Sequence, residues 1–220
     1  MTDERAIYVV VEGESEERFV KDVLCPHFLE NVHGVNVVPI IVETGRKGGR
    51  KHKGGVSSFE KISKDVSKVC KEHGSAVVTT MFDLYAFPKD IAGKEWTKGH
   101  TVEDVESMMR DAIGFENFIP FLMKHELETL LFSDVGYFGD YPKVMRGLKS
   151  ILAKHNDDPE SINTTHSPSH RIDETFRKYG GIFSKLTIGS PIYPQIGLYK
   201  MRCKCPHFDG WISKLESEFK

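Results

Sequence analysis

Near the start of the chain an unbroken apolar run, Ile7-Tyr8-Val9-Val10-Val11, ends on Glu12-Gly13 and passes at once into Glu14-Ser15-Glu16-Glu17. A short, β-branched run with no polar alternation is the pattern of a strand covered on both faces, as in the centre of a parallel sheet. That constrains the fold strongly, because a parallel neighbour has to be reached by a long crossover. Gly13 reads as the residue that lets the backbone turn behind Glu12. Open α/β sheets place their ligand crevice at the carboxyl ends of the strands, so Glu12 is expected where chemistry is done.

Two further runs repeat the pattern. Val35 to Val42 stops at Glu43-Thr44-Gly45, and Ala76 to Phe82 stops on Asp83. Helical spacing lies between them: Phe19, Val23, Leu24 and Phe28 predict a helix over Ser15 to Glu30, and Ile62, Val66, Val69 and Cys70 predict one from about Ser57 to Glu72. Val102 to Ile113 reads as another helix. Phe118 to Met123 reads as a short extended segment that leads to Lys124-His125-Glu126-Leu127-Glu128. The alternation predicts an α/β fold, a mostly parallel sheet with right-handed crossovers and helices on its flanks.

Beyond about Pro142 the alternation fades. Val144 to His155, Asp173 to Tyr179 (closed by Gly180-Gly181) and Phe208 to Phe219 read as helices, and Asn156 to Arg171 as a polar, turn-rich stretch. The expectation is one domain over 1–220, with a core over about 5–135 and an α-rich extension over about 136–220 packed on the sheet.

A chain of 220 residues with 39% hydrophobic and 28% charged residues can bury a sizeable core as a soluble protein. Its apolar runs are too short to span a bilayer, and Met1-Thr2-Asp3-Glu4-Arg5 does not open like a signal peptide. Cys25, Cys70, Cys203 and Cys205 are scattered, which points to reduced thiols in a cytoplasm.

Three apolar runs are followed by acid: Glu12, Asp83, and Glu126 with Glu128. If those ends share one sheet edge, the carboxylates converge from distant parts of the chain. Hard cations such as Mg²⁺ or Mn²⁺ take oxygen ligands and keep waters for substrate phosphates, and such ions support phosphodiester cleavage. Glu12, Asp83 and Glu126 are therefore the candidate catalytic acids. Glu12, Glu16, Asp83, Glu126 and Glu128 are the candidate ligands. An acid that ends a strand is also a common cap or loop residue, and acids in a first helical turn offset the helix dipole. Glu14 and Glu17 read as solvated surface.

Net charge of −2 gives no overall pull toward nucleic acid, yet Arg46, Lys47, Arg50, Lys51 and Lys53 are interleaved with glycines in one basic segment. We read it as a sequence-independent phosphate grip, against the alternative of a solvated loop. It has no Walker ending of Gly-Lys-Ser/Thr. His170 and Arg171 are candidates for a second phosphate contact, with Ser169 as an ordinary helix cap in the competing reading. The single residue between Cys203 and Cys205 does not match zinc spacing, so Cys205 reads as a core residue. A Gly-X-Ser-X-Gly elbow is absent from the sequence, which removes a serine-hydrolase reading.

Val11-Glu12-Gly13-Glu14-Ser15-Glu16, Met81-Phe82-Asp83-Leu84-Tyr85 and His125-Glu126-Leu127-Glu128-Thr129-Leu130-Leu131-Phe132 resemble an uncharacterised Toprim-like bacterial family. Ser167-Pro168-Ser169-His170-Arg171 and Cys205-Pro206-His207-Phe208 with Trp211 fit the same resemblance. It is similar more distantly to the Toprim domains of topoisomerases, primases and overcoming-lysogenization-defect nucleases. The resemblance implies a Toprim-like fold, a role for Glu12 as metal ligand or general acid/base, and a role for Asp83 as first acid of an Asp-X-Asp metal motif. Tyr85 stands where the second acid belongs, and a phenol that titrates near ~10 is a poor Mg²⁺ ligand. Glu126 or Glu128 is the expected replacement. Tyr85 itself is an accessory candidate, as a phosphate or base contact, or a packed core tyrosine. An ATPase partner and a place in phage defence are also implied. The leading expectation is a Mg²⁺- or Mn²⁺-dependent nuclease acting on DNA or RNA. The alternative is a non-catalytic nucleic-acid-binding or regulatory subunit of an ATPase complex.

Overall fold

The structure, a computed structural model, describes residues 5–42, 58–162 and 166–220. The opening run forms β1 (Ala6–Val11), which lies between two parallel neighbours, β2 (Asn36–Ile41) and β3 (Val77–Asp83). Beyond β3 come two short parallel strands, β6 (Phe118–Ile119) and β7 (Leu122–Met123), so the order is β2-β1-β3-β6 with β7 also on β3. A small antiparallel hairpin, β4 (Asp90–Ile91) with β5 (Lys94–Glu95), stands apart from the sheet. The parallel α/β reading holds.

The expected extended segment is two strands because Pro120 interrupts it, since proline has no amide to give the ladder. Thr80 repairs the gap: its hydroxyl donates to the Phe121 carbonyl at 2.9 Å and accepts from the Phe121 amide at 3.0 Å.

Pleat alternation divides the core between the two faces of the sheet. Val10, Val78 and Phe82 pack with Ile62 and Val66 of α3 (Phe59–Glu72) and with Val105 and Met109 of α4 (Val102–Ile113). Thr101 caps α4 in a reciprocal box with Asp104, and Gly114, at φ 69°, ends it in the left-handed conformation.

On the other face Ile7, Val9, Val11 and Met81 meet the first helical stretch and the C-terminal helices. That first stretch extends the expected helix by a residue at each end and is not uniform. It runs as α1 (Glu14–Phe19), a π-helical stretch (Val20–Leu24) and α2 (Cys25–Asn31). The widening precedes Pro26, whose ring would otherwise meet the carbonyl one turn back.

The C-terminal part comprises α5 (Pro142–Lys154), α6 (Pro168–Lys178), α7 (Ile192–Ile196), α8 (Leu198–Lys204) and α9 (Pro206–Ser217). Trp211 of α9 stacks on Phe121 with ring centroids 4.1 Å apart and gives its indole N–H to Thr79 in the sheet at 2.9 Å. Leu127–Phe138, two largely buried 3₁₀ stretches separated by a kink at Asp134, lies between sheet and helices.

Candidate functional site

Parallel registry brings the acid-bearing strand ends side by side. Val11 pairs with Met81, which puts Glu12 next to the end of β3, and Asp83 pairs with Met123, three residues before Glu126. Backbone amides then lace the ends together. The Asp83 amide donates to Glu12 Oε1 at 3.0 Å, and the Leu127 amide donates to Asp83 Oδ1 at 3.0 Å. Glu126 reaches outward, where its Oε2 accepts the Ser169 amide of α6 at 2.9 Å. Ser169 lies in the first turn of α6, where backbone amides have no partner within the helix and are free to donate to a side-chain oxygen.

Glu128 is 1% exposed and receives Lys185 Nζ at 2.8 Å. Glu16 is buried and folds back toward Gly13, where a Cβ would stand an ordinary 3.5 Å from its Oε2. The conformational role expected of Gly13 does not hold. Its φ of −167° is extended backbone open to any residue. All five expected ligands, Glu12, Glu16, Asp83, Glu126 and Glu128, thus lie at one edge of the sheet. Glu14 is exposed, and Glu17 pairs with Lys21 at 2.6 Å, in keeping with a surface role.

The electrostatics follow from crowding like charges away from water. Burial, with Glu16 adding repulsion against the favourable Asp83 amide, raises Glu12 from 4.5 to about 7. Burial and then the repulsion of Glu12, Glu128 and Glu16 push Asp83 well above the ordinary aspartate range. Glu16 and Glu128 are raised as well, chiefly by burial. Burial works against the Lys185 ammonium, but Glu128, Asp83 and Glu126 outweigh it and raise its pKa. Tyr193, buried below, is held firmly as the neutral phenol by burial and by Glu128, Glu16, Asp83 and Glu126.

A family model for a domain of unknown function, DUF4276, matches residues 11–216. The chain belongs to the DUF4276 family. No curated protein and no solved structure matches it. The family match runs from the end of β1 into α9, so it contains both the carboxylate edge and the helices that close around it.

The donor set of this DUF4276 chain fits a hard divalent cation in chemistry, because every donor is a carboxylate oxygen and the buried charge is in excess of what Lys185 offsets. Its spacing is looser than a closed three-ligand shell. Among the described residues, the trio with ligand atoms all within 4.8 Å of one another is His166, His170 and Glu174 instead.

Tyr85 is 58% exposed on the turn after Asp83, so the packed-core alternative for it falls away. Its amide donates to the His125 carbonyl at 3.2 Å, which keeps it at the rim of the site. His170 and Arg171 lie in the first turns of α6, a helix that begins earlier than the sequence pattern implied. Ser167 caps it by accepting the His170 amide at 3.4 Å, so Ser169 is not the cap. Arg171 Nε donates to the His166 carbonyl at 3.0 Å. Arg46, Lys47, Arg50, Lys51 and Lys53 lie outside the described residues. Cys205 is fully buried, with its thiol pushed up to about 12 mainly by burial, as a core residue should be.

Lys185 and Tyr193 are the site residues that sequence reading missed. Lys185 opens a π-helical turn (Lys185–Gly189), and Tyr193 lies in the five-residue α7. Elements this short leave no readable period. Gly189, which closes that turn, sits against Leu131 and Phe183, where a Cβ would stand 3.2 Å from the Phe183 ring.

Proposed function

We propose that this DUF4276 protein is a metal-dependent nuclease, or a related phosphoryl-transfer enzyme, with a Toprim-like catalytic edge. The observation that carries the reading is the meeting of Glu12, Asp83 and the Glu126–Glu128 segment at the carboxyl ends of adjacent parallel strands, joined by amide-to-carboxylate hydrogen bonds. Glu12, Glu16, Asp83, Glu126 and Glu128 would hold Mg²⁺ or Mn²⁺, which when bound supplies Lewis acidity at a phosphate oxygen and acidifies a water.

The protein's own groups account for the other roles. Glu12, at about 7, can accept or release a proton near neutral pH. Lys185 brings a positive charge beside Asp83 and Glu128, where it can bind a phosphate oxygen. Tyr85, exposed at the rim, is free to stack on a base. The basic segment Arg46 to Lys53 would grip the phosphate backbone, and an ATPase remains the proposed partner.

The test is cleavage of plasmid DNA, single-stranded DNA and RNA with Mg²⁺ or Mn²⁺. Glu12→Gln and Asp83→Asn should abolish metal-stimulated cleavage while circular dichroism stays unchanged. Equal cleavage by wild type and both variants would refute the site.

One observation favours a second reading, a non-catalytic binding or regulatory subunit: Glu12, Asp83 and Glu126 each already accept a backbone amide. On that reading calorimetry detects no saturable Mg²⁺ or Mn²⁺ binding at millimolar metal.

A further inference from the structure

We propose that His166, His170 and Glu174 form a binding site for a divalent transition-metal ion of the zinc class at the start of α6, separate from the carboxylate edge. One ligand atom from each residue lies within 4.8 Å of the other two, and all three residues are exposed. Two ligands bonded at about 2.0–2.1 Å to one tetrahedral ion stand roughly 3.4 Å apart. His170 Nδ1 and Glu174 Oε2 are already at 3.4 Å. That is longer than the ~2.7–2.9 Å of a strong charge-assisted hydrogen bond, so the pair is spaced better for a shared ion than for each other.

The backbone holds the three in place. His170 and Glu174 are four apart on one helical face. His166 precedes the cap, yet its carbonyl is pinned by Arg171 Nε at 3.0 Å and its ring stacks on that of His170 with centroids 5.2 Å apart. Ile172, Thr175 and Phe176 are buried and anchor the opposite side of the helix. Closing the site around an ion therefore asks only for side-chain rotation, from ligand separations within 4.8 Å to roughly 3.4 Å, on a helix already anchored by its buried side.

Ligand chemistry distinguishes this place from the sheet edge. Two imidazoles and one carboxylate suit zinc and its neighbours, whereas an all-carboxylate set suits Mg²⁺ or Mn²⁺. Three protein ligands at an exposed position leave coordination open for water or for an oxygen of a bound molecule. Ser169, between the two histidines in sequence, gives its amide to Glu126 at 2.9 Å, so the ion would sit beside the rim of the candidate active site.

The test is a calorimetric titration of the full chain with Zn²⁺ in a Cys203→Ser background, which removes the exposed thiol. With excess Mg²⁺ present to occupy the carboxylate edge, we expect one equivalent bound at this site, with affinity at least tenfold weaker in His170→Ala and in His166→Ala, and unchanged in His100→Ala, which removes an exposed histidine elsewhere. On adding one equivalent, the imidazole proton resonances of His166 and His170 should shift. Equal affinity in the parent and both histidine variants overturns the proposal, as does absence of zinc binding at millimolar metal or an equal loss of affinity in His100→Ala. Thermal melts by circular dichroism check that the exposed histidine substitutions leave the fold intact. The readout is binding, so a protein that cleaves no nucleic acid leaves this result standing, and a failed zinc titration leaves the nuclease reading standing.

Discussion

Replacing Glu12 with glutamine should stabilise the metal-free protein, by an amount that grows with pH. Glutamine keeps an oxygen to accept the Asp83 amide, 3.0 Å away, and removes only the ability to ionise. Glu12 titrates at 4.5 in an ordinary setting and at about 7 in the fold. Below pH 4.5 it is protonated folded and unfolded alike, and its full contribution to stability is present. Between 4.5 and 7 the unfolded chain has released the proton while the native state retains it, so stability falls as pH rises through that window. A difference of about 2.5 in pKa, at about 1.4 kcal/mol for each, makes the ionised carboxylate a liability of ~3 kcal/mol at pH 8. The glutamine variant escapes this decline. Urea denaturation in EDTA should show its advantage rising from about 1 kcal/mol at pH 5 to about 3 kcal/mol at pH 8. The corresponding rise in melting temperature at pH 8 is roughly 6–12 °C for a chain of this size. An advantage that does not change between pH 5 and pH 8, or a variant less stable than wild type at pH 8, would refute the claim that Glu12 is a buried, repelled carboxylate.

Lys185→Met strands Glu128, which is 1% exposed, without its cation, although water screens part of the loss because the lysine side chain is 42% exposed. Urea titration at pH 8 should show destabilisation of about 1–3 kcal/mol, smaller at pH 5 where the raised carboxylates protonate, and an equal loss at both pH values would contradict the pairing. Trp211→Phe keeps an aromatic on Phe121 and removes the indole N–H given to Thr79. It should cost about 1–2 kcal/mol with no dependence on pH, and a change below ~0.5 kcal/mol would show that this bond does not secure α9 to the sheet.

The parts of the fold legible in the sequence are those in which one physical signal dominates. The run at Val9-Val10-Val11 announced a strand covered on both sides, and Val102 to Ile113 announced α4 with its bounds, because apolar residues recur there at helical spacing. The acids were legible because strand ends in a parallel sheet share one edge, so Glu12 and Asp83 did not need contact in sequence to be placed together. Leu127–Phe138 was harder. It is two short, largely buried 3₁₀ stretches broken at Asp134, so no amphipathic period marks it. Lys185 was not legible, since it lies in a five-residue π-helical turn too short to show a period. The start of α6 was missed because Ser167-Pro168 lies inside a polar stretch whose residues look like a turn until the cap bond to His170 is seen.

The lacing of the sheet edge has an evolutionary consequence. Glu12 is held by the amide of Asp83, Asp83 by the amide of Leu127, and Glu126 by the amide of Ser169. Each acid is therefore both a candidate ligand and a tie that fixes where its neighbour's backbone lies. Substitutions along such a chain do not act independently, since changing one acid alters the footing of the next. Drift at this edge should be strongly epistatic: a lineage that abandons one of these carboxylates removes the selective reason to keep the others, and they should be lost or retained as a set.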